Sequence, residues 1–461
     1  MGEPNHLRQR ERAGARARRA QERPRVQWPV VARNVGIVVV LLVVGLYLES
    51  REDTKPASNS CELVEAQPSG ASEEHIAHLA LTGYRDLRSR RVTVLTLSDE
   101  KDPGTVMANL CEQRWYVAKL IDALSAMGAS EIVIDKHFSP RACGPGDAGT
   151  AALVASVQHT TVPVVVGRST HPPHGTDTSG SCLVLGDSLD FGYKVDSMGN
   201  PTKNPAALYG LTRLNSDIEK IPLGWSCYAS DQAFDAGQAP TDKRVDSLSW
   251  MAAAAVDSGL RNEPRIVALQ KEGHHPYTSF IDAKTMSHVD GLSVLCNSSQ
   301  RGEVAARYQV DCPAHPAPEA DLHGQIVVVG EDVQDRDPHT LFGANVAGVY
   351  LQANYIESLL DDRFMKAIDG SWNYIGLIAW LVCLYLIFWI QPEVALGVSV
   401  AAIVVLRYAF IEIATYRGYY PRLTILDLGA VAPVLKYIEA RGHLAMHALM
   451  ERHEKRSRRA G

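Results

Sequence analysis

Four apolar segments constrain this chain more than any other feature, one near its start and three near its end. They cover residues 30–48 (VVARNVGIVVVLLVVGLYL), 372–390, 394–413 and 422–438. Each comes close to the roughly 20 residues a helix needs to cross a hydrocarbon core of about 30 Å. Residues 49–371 are then expected to form a domain hung outside the membrane, with one transmembrane helix before it and three after it. The segment 422–438 carries the weakest signal, because it is short and contains Asp427, Pro433 and Lys436.

Charge sets the expected sides. Residues 1–48 hold nine Arg and no Lys against three acids, and the tail 439–461 is again basic, with Arg441, Arg452, Lys455, Arg456, Arg458 and Arg459. The positive-inside rule puts the arm 1–29 and the tail 439–461 in the cytoplasm. That requires an even number of crossings, which four spans satisfy. Two Arg in the outer loop 416–422 run against the rule locally. The first span reads as an uncleaved anchor rather than a signal peptide, since Glu49-Ser50-Arg51-Glu52-Asp53 lacks a small-x-small cleavage pattern. Inside the spans, Arg407 and Asp427 fall at similar depth, and both a transmembrane ion pair and separate snorkelling to the interface are open readings.

The stretch between the spans is acidic, with 27 Lys and Arg against 43 Asp and Glu in residues 49–371. Such a surface offers phosphate no positive footprint, which argues against nucleic acid as a partner. Seven of the eight cysteines fall in this stretch, and no C-x-x-C occurs, so zinc-ribbon and thioredoxin-like readings lack their signal. Disulfides in an oxidising compartment are expected instead. The neighbouring pairs are Cys111–Cys143, Cys182–Cys227 and Cys296–Cys312, with Cys61 left over, although spacing alone leaves the connectivity open.

Periodicity gives the exterior stretch an α/β pattern. Residues 91–97 (RVTVLTL) are a β-branched run, and residues 112–127 place Trp115, Leu120, Ile121, Leu124 and Met127 on one helical stripe. Gly128 ends that helix, and 131–135 (EIVID) reads as a buried strand. Strand, crossover helix and strand at this spacing predict a parallel, right-handed βαβ unit. A helix over 148–159, strands over 162–167 and 325–330, and helices over 246–257 and 346–360 continue the pattern. Residues 168–320 are rich in Gly, Pro, Ser, His and Asp, and their strand order does not follow from the sequence. The expected fold class is an α/β exterior domain with a largely parallel sheet, plus four transmembrane helices.

Three passages carry a resemblance. Tyr116 to Ser139 (YVAKLIDALSAMGASEIVIDKHFS), Gly330 to Gly343 (GEDVQDRDPHTLFG) and Gly348 to Leu360 (GVYLQANYIESLL) are similar to the CHASE type-2 domain. With the order of the spans, the similarity extends over roughly residues 30–438. It implies an extracytoplasmic sensor domain of a bacterial inner-membrane receptor, anchored by one span before it and three after it. No established catalytic residues come with it. Such receptors usually continue into a cytoplasmic enzyme, whereas only 23 residues follow Ile438 here, so the resemblance implies a separate signalling effector as partner. A homo-oligomer is also expected.

Motifs for chemistry are few. No Walker A, H-E-x-x-H or G-x-S-x-G pattern occurs, and neither a cofactor nor catalysis is expected. Gly144-Pro145-Gly146-Asp147-Ala148-Gly149 matches G-x-G-x-x-G formally, but it lies several residues past its strand and carries Pro in the turn, so it reads as a loop. The His171–His174 and His274–His275 pairs read as loop histidines.

The notable cluster is acidic and histidine-bearing. In open parallel sheets ligands bind beyond the carboxyl ends of strands. There Asp135 and His137 follow one strand, and Asp332, Asp335, Asp337 and His339 follow another. If the two strands are neighbours, these side chains converge, and a polar small molecule or a divalent metal would suit them. Asp135 and Asp337 as loop caps is the alternative reading. Three functions follow as expectations. The first is a membrane-anchored sensor that passes ligand occupancy through its helices to a separate partner. The second is an envelope structural or assembly protein, and the third an extracytoplasmic hydrolase.

Overall fold

The computed structural model describes residues 89–367, apart from 145, 172–182, 196–200, 215–217, 236–244, 273–274, 279, 314–320, 333–337 and 342–343, together with 401, 404–405, 419–420, 446 and 450. The chain divides into two compact units. One is residues 55–368 with 408–422, and the other is residues 1–54, 369–407 and 423–461. Among the described residues no helix is long and apolar enough to cross a membrane. The four apolar segments lie outside the described residues except for Ala401, Val404 and Val405, and so do Arg407 and Asp427.

Six strands build the central sheet: β1 Val92–Leu97, β2 Glu131–His137, β3 Val164–Arg168, β4 Ala207–Leu211, β6 His288–Asp290 and β7 Ile326–Glu331. Their order is β6-β1-β7-β2-β3-β4, and every neighbouring pair is parallel. The central strands are continuous apolar runs because both faces are covered, as a parallel sheet requires. On one face Leu95, Ile132, Ile134, Val327 and Val329 pack against helices α1 (Leu110–Ala126), α2 (Ala148–His159), α4 (Gly291–Cys296) and α5 (Arg301–Tyr308). On the other, Val92, Val94, Val133, Val165, Ile326 and Val328 pack against α3 (Leu248–Val256) and α6 (Gly348–Leu360).

The helix starts follow from local chemistry. Asn109, Asp147 and Ser247 accept backbone N–H groups at the starts of α1, α2 and α3, meeting donors that a helix leaves open. Gly128 closes α1 at a positive φ of 81°, where a Cβ would meet the His323 ring at 2.7 Å. α6 differs: its cap residue Ala347 brings no side-chain acceptor.

At the amino ends of the strands, the segment entering the domain is fastened to the helix that leaves it. Glu357, fully buried in the last turn of α6, accepts from Ser89 Oγ (3.0 Å) and from the backbone N–H groups of Arg90 (2.9 Å), Arg91 (3.2 Å) and Val92 (2.9 Å). Arg91 also donates to Leu360 O (3.2 Å). Beyond α6, β10 (Phe364–Ala367) pairs antiparallel with β5 (Tyr277–Thr278) and parallel with β11 (Tyr419–Tyr420). β11 lies in the loop between the third and fourth apolar segments.

Among the described residues two disulfides are present. Cys111–Cys143 ties the start of α1 to the loop after β2, and Cys296–Cys312 closes the α4–α5 region, with Cα separations of 5.8 and 5.3 Å. Cys227 is buried, donates to Trp225 O (3.8 Å) and is pushed up by burial to about 11. Cys182 lies outside the described residues, as do Cys61 and Cys383.

Candidate functional site

A small polar cavity of about 190 Å³ lies at the carboxyl end of the sheet, lined by Asp135, Lys136, His137, Thr212, Leu214, Gly348 and Gln352. This is the position at which open α/β sheets receive ligands. Three features of the sequence place its walls. β2 and β7 are neighbours, and the register between β2 and β3 slips between Ile134 and His137. That bulge re-aims the residues beyond Ile134 and marks the place where the strand leaves the ladder. Gly330, at the end of β7, lets α6 approach: a Cβ there would lie 2.8 Å from the Val349 side chain and 3.4 Å from Asp135 Cβ. Asp135 therefore sits beside the first turn of α6. Gly167 plays the same part on β3, where a Cβ would meet Thr212 Cγ2 at 2.3 Å and Lys136 O at 2.7 Å.

Polar contacts hold this rim. Lys136 pairs with Glu331, which also accepts from the buried Gln113 amide (2.8 Å). Arg114, also buried, donates to Thr150 Oγ1 (2.6 Å) and to Ser139 O. The His137 imidazole is drawn below its usual range, first by loss of solvent and then by the charge of Lys136, so at neutral pH it is uncharged.

α6 buries the polar side chains of Gln352, Asn354, Glu357 and Ser358, and the first three are not alike. Asn354 is saturated: its Oδ1 accepts from Ile281 N (2.7 Å), and its Nδ2 donates to Ile281 O and Tyr350 O (both 3.2 Å). Glu357 holds the start of β1. Gln352, 1% exposed, donates from Nε2 to Thr212 O (3.1 Å), while its Oε1 has no hydrogen-bond partner. An unmet acceptor in a buried amide costs about 1–3 kcal/mol, and this one belongs to a side chain that lines the cavity.

The predicted site residues divide. Asp135 and His137 both reach the cavity. Asp335 and Asp337 lie outside the described residues. His339 sits in a hairpin formed by β8 (Pro338–Leu341) and β9 (Ala344–Ala347), opposite Val346, and is not among the residues lining the cavity. Asp332 sits toward the β1–β6 side. Its N–H donates to Leu97 O (2.9 Å), and its carboxyl is raised, chiefly by burial, with Asp290 and Glu100 adding to the rise and His288 opposing it. Gln352 and Thr212 were not legible as site residues. Gln352 is the polar interruption in an otherwise apolar buried stripe, which is the one signal that points to it.

The other motifs resolve as structure. Gly149 is a packing residue: a Cβ there would lie 2.1 Å from Cys111 O, and Gly146 takes a positive φ of 77° in the turn. Asp147 caps α2 through Thr150 N (2.7 Å). The grouping of Cys111, Cys143 and Asp147 has its sulfurs joined in the disulfide, so they offer no thiolate to a metal. His275 accepts from Leu223 N (3.1 Å) and lies against the Trp225 ring. His174 and His274 lie outside the described residues.

A family model described as the CHASE2 domain matches residues 83–389, most of the chain. No curated protein and no solved structure gives a match.

Proposed function

From the premise that this chain belongs to the CHASE2 family of extracellular sensor domains, we propose that it is a membrane-anchored sensor. It binds a small polar ligand in the cavity beside Asp135 and Gln352 and passes occupancy through α6 to a separate effector protein. The observation that carries this reading is the placement of α6. Its first turns line the cavity, and its last turn, through Glu357, holds the segment that enters the domain. Ligand binding that favours one position of α6 would alter how the entering and leaving segments are held together, which is the differential contact a two-state signal requires.

In this reading the segments 30–48, 372–390, 394–413 and 422–438 are the spans, with the exterior domain between the first two. The pairing of β11 with β10 supports the loop 416–422 on the domain's side. The effector is sought by photo-crosslinking in intact membranes that contain the full chain, comparing it with the Gln352→Met variant. A crosslinked effector whose yield changes with Gln352→Met supports the sensor. An identical set and yield of crosslinked proteins in both refutes it.

A further inference from the structure

Of the two disulfides among the described residues, one is sealed and one is open. Cys296 and Cys312 are 5% and 6% exposed. Cys111 and Cys143 are both partly exposed, and Cys143 lines a cleft of about 870 Å³ together with Arg141, Asp147, Ala151, Val154 and Gln158. We infer that the Cys111–Cys143 bridge is a thiol–disulfide exchange site, which takes a low-molecular-weight thiol from this cleft and so unties the loop after β2 from α1.

Access decides first. Exchange requires a thiolate to reach one of the two sulfurs, and the cleft is within the roughly 300–1,000 Å³ of small-molecule sites, so a thiol of amino-acid or small-peptide size enters it. Its sulfur bonds to Cys143 Sγ, the bond between the cysteines breaks, and the electron pair passes to Cys111 Sγ. Cys111 stands in the first turn of the 17-residue α1, where the positive end of the helix favours the released thiolate. A second thiol then attacks the first in the mixed disulfide. The two thiols leave as their own disulfide, and Cys143 keeps the electron pair and takes up a proton from water. Two electrons have passed from the thiols to the bridge, and the reverse sequence closes it again. Asp147 restrains the reaction: its carboxylate lies within 4.8 Å of both sulfurs and repels an approaching thiolate. Thr150 N (2.7 Å) and Thr150 Oγ1 (2.9 Å) hold that charge in place.

The bridge joins residues 32 apart in sequence, and all of β2 lies between them. Once it opens, Arg114 still ties the loop to α1 through Ser139 O, but Cys143 no longer does. Ser139 follows His137 by two residues, and His137 lines the polar cavity. Exchange at the bridge therefore loosens the support of one cavity wall.

The test uses the full chain in nanodiscs with reduced glutathione as the probe, iodoacetamide quenching at timed intervals and peptide mass spectrometry. Cys111 and Cys143 are expected to become alkylated at least about tenfold faster than Cys296 and Cys312. Ala151→Trp narrows the cleft from an exposed position on α2 and should slow the reaction at Cys111–Cys143 about tenfold. Asp147→Asn keeps a helix cap and should speed it about fourfold, the size of one charge removed at that distance in water. Neither variant should alter the rate at Cys296–Cys312. Cys111→Ser, treated with oxidised glutathione, should retain a glutathione adduct on Cys143, and the rates in the other proteins keep the test alive if this variant does not fold. Equal rates at the two bridges would mean that reduction waits for unfolding and would overturn the inference. A rate at Cys111–Cys143 unmoved by both Ala151→Trp and Asp147→Asn would overturn it as well.

Discussion

Glu131 opens β2 with no exposed surface, and neither carboxyl oxygen has a hydrogen-bond partner. By strand alternation it shares the sheet face of Val133, beneath α3 and α6. Burial alone pushes it up to about 9 from 4.5. The folded protein therefore keeps a proton there at pH 7 that the unfolded chain has released. Folding takes up a proton throughout that window, so stability is fullest below the unfolded value and is lost as pH rises through the folded one. The folding equilibrium should weaken by up to tenfold per pH unit within the window. Glu131→Gln removes the titrating group. Urea midpoints measured from pH 5 to 9 should fall for the wild type and stay flatter for the variant, and parallel curves would refute a neutral Glu131. Nothing in Glu131-Ile-Val-Ile-Asp135 announces this, since the same run reads as a strand whether its first carboxyl is buried or at an edge. Asp135 and His137 were legible by position near the carboxyl end of a strand, which the structure extends to His137, whereas the role of Gln352 depends on Thr212, 140 residues away in sequence, meeting it across the fold.

Helices α1 and α2 meet where Gly149 faces the backbone of Cys111, next to the Cys111–Cys143 disulfide. Gly149→Ala forces a methyl against a backbone carbonyl that cannot rotate away. A loss of about 2–3 kcal/mol in unfolding free energy is expected. Gly144→Ala is the control, because nothing lies within 4 Å of the added Cβ, and its change should stay within about 0.5 kcal/mol. Denaturant melts of both variants decide the matter, since a dinucleotide loop would need both glycines whereas a packing contact needs one. The elements legible in the sequence are those whose burial leaves a pattern: β1, β2, β3 and β7, covered on both faces, read as apolar runs, and α1 and α6 as stripes. β4 (ALYGL) and β6 (HVD) are edge strands, one diluted by small residues and the other three residues long. α4 and α5, of six and eight residues, are too short for their period to stand out against the Gly- and Ser-rich sequence around them. Their places became definite only when β7 was inserted between β1 and β2.

That insertion sets the path through the molecule. Because β7 runs to the cavity and α6 returns from it, one helix spans the carboxyl end of the sheet, where Gln352 lies, and the amino end, where Glu357 gathers the entering strand. Gly348 and Glu357 are nine residues apart, about 14 Å along the axis. Coupling over that distance requires α6 to move as one body, and the saturated contacts of Asn354 between the two ends favour that. Glu357→Ala leaves three backbone N–H groups without their carboxylate in a buried site, at a cost of about 3 kcal/mol or more. Hydrogen exchange on the full chain in nanodiscs should then show faster exchange at Arg90, Arg91 and Val92. If α6 is a rigid link, exchange should also rise in its first turns, from Gly348 to Gln352, although no bond there has been removed. Faster exchange confined to Arg90–Val92 would make Glu357 a local fastener and would leave the cavity without this route to the segments that leave the domain.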